Sequence, residues 1–528
     1  MDLGLEKLYT RYSEADMWKQ RWLALYQDLY LYVIPNRDAL NISFNYSDQG
    51  KPTTQAIWDN TAILSAYQRA NDLHSLMMPK DRVWGRLVLD PHIFSDAAIS
   101  QTKPTVDEMN DRIMFYLNQS NLSRVVSSSN LDLVGGTAAI WVESKSDDEP
   151  LYFRSIPAVA LYIEYSNDDV LNTCWYKCKM IGRKVIELFP KYKGLALEAL
   201  KESPDETVIV LYGQIKLSHD KFYIYAVLAD LDPYCALWEV ERDYQQIIIY
   251  RDRVRPGESD GRGIGLDMLP TIKNLNQLVK DNRKYQSFKA NPPAFYDNNR
   301  YFNPYSIRQW AGAMIPRAPG SRNPIQMLET PVFPEVLEEQ KHMRDEIRQG
   351  FQVDPLGEIN SPVRSATEVS IRENRAQRTS STDISRLMNE QPKQIYETSA
   401  KILAKRRLLT KDGRVGDIKT NQFRFDFQSP LFDLQKRDEI SNLIQMFQIE
   451  QQFFGQGACV ASANLGEIVE FLIDRLNLKS KLFKDSEELN KVVKQMGDIQ
   501  QQQMQASMPT PQTYGAQVQL PSPSQVQI

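Results

Sequence analysis

The sequence predicts an α+β fold in which amphipathic helices flank a β-rich middle. Three observations lead to this class. Residues 13–33 repeat apolar side chains at steps of three and four, as one face of a helix does. Between Gly136 and residue 251 the chain is instead rich in β-branched and aromatic runs, which are typical of strands. After residue 263 the helical period returns and continues through much of the C-terminal part.

Bulk composition excludes several classes of protein. The chain has 528 residues, of which 42% are hydrophobic and 25% charged, as in an ordinary globular protein. No apolar run is long enough to cross a membrane, and the N-terminus lacks the apolar core of an export signal. The formal charge of −4 does not favour tight binding to nucleic acid. We therefore expect a cytoplasmic protein.

The cysteines indicate neither disulfides nor a metal site. There are only four in the chain, and Cys174 and Cys178 lie on one face of a strand-like segment with no histidine or cysteine pair beside them. No motif for a cofactor stands out either. We expect no metal and no cofactor.

The first quarter of the chain reads as helices with one strand. Residues 13–33 form a helix that Ser13 would cap, with Trp18 and Trp22 on its apolar face, before a stop at Pro35. A second helix is predicted over 60–78, and a strand over 83–89. Helices near 104–119 and from 123 lead to Gly135-Gly136, where the chain turns into a strand.

The middle of the chain reads as a succession of strands. Runs such as "LYFRSI", "ALYIEY", "TVIVLYGQIKL", "KFYIYAVLA" and "QQIIIYR" are apolar or alternating, and one charged helix of about 182–202 interrupts them.

Residues 257–263, "GESDGRG", contain the G-x-S-x-G pattern of a serine-hydrolase nucleophile elbow. The preceding strand ends at Tyr250, too early to run into the turn, and the only histidine after Ser259 is His342 on a charged helix. We therefore expect Ser259 to be structural and the chain not to be an enzyme. The glycines Gly257, Gly261, Gly263 and Gly265 are instead predicted to let the chain turn sharply into the next helix.

The rest of the chain is mainly helical. The predicted helices are 266–290, 334–351, 366–390, a continuation to about 410, 434–454, 465–477 and 486–500. Between them lie an irregular stretch (291–333), a loop before a capping box at Ser365–Glu368, and a strand in 422–431. Residues 499–528 carry no charge and many Gln, Ser and Pro, so we expect them to be flexible.

Several segments, in order, resemble one family. They are "LYVIP", "ANDLHSLMMPKDRVWGRL" (70–87), "LVGGTAAIWVE" (133–143), "GESDGRG" before the long helix, "SATEVSIREN" (365–374) and "FQSPLFDLQKRDEI" (427–440). Together they resemble the head-to-tail connector (portal) proteins of short-tailed double-stranded DNA phages. Each segment alone is weak, but their order and spacing over roughly residues 10–450 are specific.

The resemblance implies a portal-type fold assembled as a ring of twelve subunits at one capsid vertex. The implied divisions are N-terminal helices and a β-rich wing (1–265), a stem helix (266–290), a clip (291–333), a second stem helix (334–351), a tunnel loop (352–365), wing helices and a strand (366–433), a helical crown (434–498) and a flexible tail (499–528). The ring would pass double-stranded DNA during packaging and ejection. It would dock the packaging terminase, tail adaptor or tail-tube proteins, and the major capsid and scaffolding proteins.

The resemblance also places candidate residues on the channel. The tunnel-loop candidates are Asn360, Ser361, Pro362, Val363 and Arg364, and the basic stem candidates are Lys273, Lys280, Arg283 and Lys284. The alternatives are that the loop is a plain connector and that the basic residues are solvated or pair between subunits. The remaining alternatives for the whole chain are another ring or adaptor protein of the head-tail junction, or a DNA-processing enzyme.

Overall fold

The computed structural model describes residues 4–37, 54–80, 82–146, 148–164, 171, 173–194, 196–218, 221–297, 310–317, 325–327, 335–353, 386–411, 422–428, 439–449 and 452. The chain divides into two units, Met1–Leu431 and Phe432–Ile528. In the second unit, the described residues 439–449 are helical, within the helix predicted for 434–454. The predicted helices at 465–477 and 486–500 and the tail 499–528 lie outside the described residues.

The first unit combines helices and sheets, which confirms the α+β class. Its helices are α1 (Leu5–Tyr32), α2 (Thr61–Met77), α3 (Asp96–Gln119), α4 (Leu122–Leu133), α5 (Gly182–Leu188), α6 (Ala196–Glu202), α7 (Ile264–Asp267), α8 (Leu269–Ala290), α9 (Glu335–Gly350) and α10 (Pro392–Lys405). Its strands are β1 (Gly85–Leu89), β2 (Thr137–Glu143), β3 (Tyr152–Ile156), β4 (Leu161–Ile163), β5 (Thr173–Ile181), β6 (Thr207–Ser218), β7 (Lys221–Leu228), β8 (Asp232–Arg242), β9 (Ile247–Arg251), β10 (Ala294–Asp297), β11 (Met314–Arg317), β12 (Ile325–Met327) and β13 (Phe423–Phe427).

A three-stranded antiparallel sheet with the order β3-β2-β9 lies in the first unit, within the part of the chain predicted to be the wing. Successive side chains of a strand point to opposite faces. Ile140 therefore packs with α3, α4 and α10 on one face, while its neighbour Trp141 packs against the five-stranded sheet on the other. Both faces of this sheet are buried, which explains why β2 and β9 read as continuous apolar runs.

The five-stranded sheet has the order β4-β5-β6-β7-β8 and is antiparallel throughout. One face packs on the three-stranded sheet. The other face, which includes Trp175 and Tyr225, is covered by Leu8 and Tyr12 of α1. The indole N–H of Trp175 donates to the Tyr225 hydroxyl at 2.8 Å, so this buried donor has a partner.

A separate core lies where the second half of α1 meets α2, α8 and α9. It contains Leu29 of α1, Ala66 of α2, Ile272 and Leu275 of α8, and Ile347 of α9. α1 is thus a shared element, because its first half covers the five-stranded sheet and its second half packs on α8.

Helix α1 corrects the prediction for the N-terminus. It begins at Leu5, so Ser13 lies within the helix, where its hydroxyl donates to the carbonyl of Tyr9 at 3.0 Å and does not cap an end. Trp18 is 55% exposed and does not belong to the buried face. The prediction was wrong because the two aromatic residues Trp18 and Trp22 were given more weight than the spacing of the smaller buried residues.

Three other elements differ from their predictions. Helix α3 begins at Asp96, eight residues before Pro104, which the helix accommodates internally. The charged helix expected over 182–202 is two short helices, α5 and α6. Strand β8 was not predicted, because Pro233 and the charged residues near its C-terminal end are unusual in a strand. As an edge strand, β8 tolerates both.

Of the helices in the described ranges, none has a stretch long and apolar enough to cross a membrane.

Candidate functional site

The "GESDGRG" segment lies against the turn between α4 and β2, and the two backbones touch. Gly136 has a φ of +111°, and a β-carbon there would lie 2.2 Å from the carbonyl oxygen of Gly261. A β-carbon on Gly263 would lie 2.2 Å from the carbonyl oxygen of Val134. No side chain fits at either position, because the obstacle is backbone. We call residues 133–137 together with 257–265 the junction.

The four predicted turn glycines have two different surroundings. Gly261, Gly263 and Gly265 are buried against residues 134–136, and the Gly265 amide donates to Val134 at 2.9 Å. Gly257 has a φ of +86° and no heavy atom within 4 Å of its β-carbon position, so it serves an open turn. The glycines therefore provide close packing at three positions and a left-handed turn at one. Their role as a hinge stays a prediction.

A buried ion pair holds the junction to α1. The Nζ of Lys19 lies 2.7 Å from Oδ1 of Asp260, and each side chain is only 3% exposed. The hydroxyl of Tyr26 donates to the same Oδ1 at 3.3 Å, and the ammonium lies 4.7 Å from the centre of the Tyr26 ring. Burial raises the pKa of Tyr26, and the nearby Asp260 raises it further, so the phenol stays protonated. The Gly261 amide donates to Thr137 Oγ1 at 2.8 Å.

Sequence reasoning missed this pair, although part of the signal was visible. Lys19 occupies a buried position in the series Leu8, Tyr12, Ala15, Lys19, Tyr26 and Leu29, which repeats at helical spacing. A lysine on the buried face of a helix needs a partner of opposite charge. The identity of that partner, 241 residues away, could not be read from the sequence.

Ser259 contributes its backbone carbonyl, which accepts a hydrogen bond from Arg251 Nη1 at 3.3 Å. His342 lies exposed on α9. Among the residues that the structure describes, no group of three His, Cys, Asp or Glu side chains could hold a metal ion.

Helices α8 and α9 form an antiparallel pair, which we call the stem. The end of α9 lies at the start of α8, because a β-carbon on Gly350 would fall 2.6 Å from the sulfur of Met268. α7 and α8 are separate helices, with Pro270 in the first turn of α8, so the predicted helix 266–290 begins later than expected. The last buried residue of α8 is Val279, and none of the eleven residues after it in the helix is buried.

Residues 56–59 brace the stem from the side of α2. Asn276 of α8 accepts the Trp58 amide at 2.6 Å and donates to the Ala56 carbonyl at 2.9 Å. Arg344 of α9 pairs with Asp59 at 2.9 Å. Burial alone would raise the pKa of Asp59, but its hydrogen bonds from Thr61 and Arg344 outweigh burial and lower the pKa. The Asp59 carboxylate stays charged and binds α9 through Arg344, while Asn276 binds α8 to the backbone of the same segment.

The basic stem candidates do not all share one environment. Lys273, Lys280 and Lys284 recur at steps of seven and four, so they lie along one stripe of α8. Lys273 pairs with Asp28 of α1 at 2.6 Å, and Lys284 is 3.5 Å from Asp281. Lys280 is half-buried and has no ion pair within the described ranges. Arg283 lies off this stripe, stacks on Trp58 at 5.6 Å and donates to its carbonyl at 3.2 Å.

The tunnel-loop candidates Asn360, Ser361, Pro362, Val363 and Arg364, with the capping box at Ser365–Glu368, lie outside the described residues. The chain that enters the loop is held at its start. Arg69 of α2 donates to the Phe351 carbonyl at 3.2 Å and to Gln352 Oε1 at 2.8 Å.

Beyond the stem, three short strands form a small sheet. Strand β10 lies between β11, to which it is parallel, and β12, to which it is antiparallel. Three large apolar side chains in and beside this sheet are exposed: Trp310 (57%), Met314 (56%) and Met327 (66%). This sheet occupies the part of the chain predicted to be the clip.

Comparison with known proteins gives one family. The family model described as bacteriophage head to tail connecting protein matches residues 5–483. No curated protein matches the chain.

Among solved structures, a chain from the virion of a native gene transfer agent particle is similar at 11% identity and a TM-score of 0.32, covering 73% of this chain and 86% of that one. A chain from the neck of an empty particle, computed with C6 symmetry, has 10% identity, a TM-score of 0.31 and coverage of 73% and 86%. A chain from the neck of a native particle, computed with C12 symmetry, has 10% identity, a TM-score of 0.31 and coverage of 73% and 85%.

Proposed function

The chain belongs to the bacteriophage head-to-tail connecting protein family, and we propose that it is the portal subunit through which double-stranded DNA enters and leaves the capsid. The observation that carries the proposal is the family match over residues 5–483, a range that includes the predicted wing, stem and clip and most of the predicted crown. The family is one of structural connectors, so the proposed role is a conduit and not a catalyst.

The proposed assembly is a closed ring, the twelve-membered ring that the resemblance implies. One chain leaves its stem and clip incompletely covered. α8 has no buried residue after Val279, Leu337 of α9 is 59% exposed, and the clip exposes Trp310, Met314 and Met327. Apolar surface of this kind is typical of protein interfaces. Head-to-tail contacts between identical subunits generate rings when the rotation closes.

The dimensions of the stem support a channel for DNA. With a rise of about 1.5 Å per residue, the 22 residues of α8 span about 33 Å. Twelve such helices at a spacing of about 10 Å would place their axes about 19 Å from the ring centre. Subtracting about 5 Å for the helix radius leaves an opening of about 28 Å. A duplex about 20 Å wide passes through such an opening.

The proposed channel contacts are the tunnel-loop residues 360–364 and the stripe Lys273, Lys280 and Lys284. Lys280 is the strongest stem candidate, because Lys273 and Lys284 already have acidic neighbours in the same chain. A conduit should hold its cargo weakly, since each phosphate that a protein neutralises adds affinity. The formal charge of −4 per chain agrees with that requirement.

The proposed location is the capsid vertex at the head-tail junction of the virion, with assembly in the host cytoplasm. The proposed partners are the packaging terminase, the tail adaptor or tail-tube proteins, and the major capsid and scaffolding proteins.

The test of this function is genome packaging by particles that carry altered rings. Replacing residues 358–364 with a Gly/Ser linker should leave ring assembly intact and reduce packaging or retention of DNA. The Lys280→Gln variant should reduce packaging or retention less, because it removes one charge per subunit and charges at the channel surface are screened within about 8–10 Å at physiological salt. Lys201→Gln, on the short helix α6 of the wing, is the control. If the loop variant packages and retains DNA as well as the parent, the loop has no role in the channel.

A further inference from the structure

Arg251, the last residue of β9, contacts two segments that are far apart in the chain. Its side chain is 3% exposed. Nη1 donates to the carbonyl of Ser259 in the junction at 3.3 Å. Nη2 lies 3.4 Å from Oε1 of Glu390, and the backbone N–H of Arg251 donates to Oε2 of the same carboxylate at 2.7 Å. One residue therefore joins the wing sheet, the junction and the helical turn 386–390.

The turn 386–391 is bound firmly to the wing on the Glu390 side. Burial raises the pKa of Glu390, and the attraction of Arg251 offsets that effect only in part. The next residue, Gln391, is fully buried, and its Nε2 donates to Oδ1 of Asn130 at 3.1 Å. The same Oδ1 accepts the hydroxyl of Tyr250 at 3.2 Å. Two successive residues of this turn are thus bound to β9, directly and through Asn130.

On the other side, residues 259–261 are held from three directions. Arg251 binds the carbonyl of Ser259, Lys19 binds the carboxylate of Asp260, and Thr137 accepts the amide of Gly261. Of the three residues that make these contacts, Arg251 is the one that also binds residues 386–391, through Glu390. α7 begins three residues later at Ile264, so these contacts fix where the stem starts.

We infer that Arg251 is a positioning residue that couples the start of the stem to the helical turn 386–390, so that a displacement of Glu390 also displaces Ser259. The guanidinium is a planar fork with fixed donor directions, so its two ends cannot move independently. A buried guanidinium that loses an acceptor carries an uncompensated charge, which is strongly unfavourable. The coupling belongs to a single chain and goes beyond the proposed conduit function.

The decisive variant is Glu390→Gln, measured by amide hydrogen exchange in the full chain. The amide oxygen can still accept the Arg251 backbone N–H, but the new NH₂ group then faces the guanidinium, donor against donor. We expect exchange to rise about tenfold or more in residues 386–391, as the loss of a charged hydrogen bond predicts. We also expect a rise in residues 257–262, although the hydrogen bonds of the Glu390 carboxylate described above go to Arg251 and not to these residues. The reporting amides there are those of Glu258, Gly261 and Arg262, all of which donate hydrogen bonds.

Two substitutions of Arg251 separate charge from geometry. Arg251→Met should raise exchange in both 386–391 and 257–262. Because the proposed coupling passes through Arg251, adding Glu390→Gln to Arg251→Met should cause no further rise in 257–262. Arg251→Lys keeps a charge beside Glu390 but lacks the fork. It should restore protection in 386–391 toward the parent value and leave 257–262 exchanging as fast as in Arg251→Met. Arg183→Met is the matched control, because Arg183 is 71% exposed and its ion pair is with Asp205, which is 76% exposed.

Three results would overturn the inference. The first is that Glu390→Gln changes exchange in 386–391 alone. The second is that the effects of Arg251→Met and Glu390→Gln on 257–262 add. The third is that Arg251→Lys exchanges like the parent in 257–262. If Arg251→Met does not fold, Glu390→Gln and Arg251→Lys decide the question. Hydrogen exchange in these segments does not depend on ring formation. The coupling through Arg251 can therefore be refuted while the conduit function is correct, and it can be correct while the conduit function is refuted.

Discussion

The buried pair Lys19–Asp260 gives the sharpest stability prediction. Both side chains are 3% exposed and 2.7 Å apart, so Lys19→Met leaves a buried carboxylate whose remaining side-chain donor, within the described residues, is the Tyr26 hydroxyl. Removing one partner of a buried ion pair costs about 3–5 kcal/mol. The lost contact between Lys19 and the Tyr26 ring adds to that cost. We therefore expect the free energy of unfolding to fall by at least about 3 kcal/mol.

The double variant Lys19→Met with Asp260→Asn tests the cause. Asparagine can still accept the Tyr26 hydroxyl, and no unpaired charge remains, so most of the lost stability should return. Lys284→Met is the control, because its pair with Asp281 is 3.5 Å long and more than half exposed, and surface pairs contribute at most about 1 kcal/mol. Urea unfolding followed by tryptophan fluorescence measures all three variants, with Trp22 packed 6.2 Å from the Tyr26 ring as a nearby probe. The reasoning would be refuted if Lys19→Met lowered the free energy of unfolding by less than about 1 kcal/mol, as a surface pair would. It would also be refuted if the double variant recovered none of the lost stability.

Three further predictions concern the junction and the C-terminus. Gly263→Ala should cost about 3 kcal/mol or more in urea unfolding, because its β-carbon would lie 2.2 Å from backbone, whereas Gly4→Ala, in open space, should be nearly neutral. Equal effects of the two alanines would show that the junction can move apart. A fluorophosphonate probe should not label the chain, and labelling that Ser259→Ala abolishes would make Ser259 a nucleophile. A chain ending at Asp498 should assemble like the full chain, and failure to do so would make 499–528 part of the assembly.

Local patterns predicted most elements of the first unit. The helix predicted over 60–78 is Thr61–Met77, the strand within 422–431 is Phe423–Phe427, and the turn at Gly135-Gly136 leads into β2. Period and turn chemistry are local properties, so one sequence is enough to read them. The family was also recognised correctly from the order of short segments, as the match over residues 5–483 confirms.

The buried charged pairs could not be predicted, because each joins distant residues. Arg251 and Glu390 are 139 positions apart, and Lys19 and Asp260 are 241 apart. Asp260 also lies in a Gly- and Ser-rich stretch that reads as an exposed turn. The glycines were assigned to a sharp turn, whereas Gly261 and Gly263 are required because another segment, 134–136, lies against their backbone. Composition reveals the need for glycine but not the neighbour that causes it.

The central claim is that identical chains close into a ring with an open channel, and native mass spectrometry combined with negative-stain imaging of the purified protein tests it most directly. We predict a dominant species of twelve times the chain mass and ring-shaped particles with an opening of about 28 Å, wide enough for a duplex. A different subunit number in a closed ring would revise the count and keep the conduit. Monomers or dimers alone, across a range of salt and protein concentrations, would contradict the account.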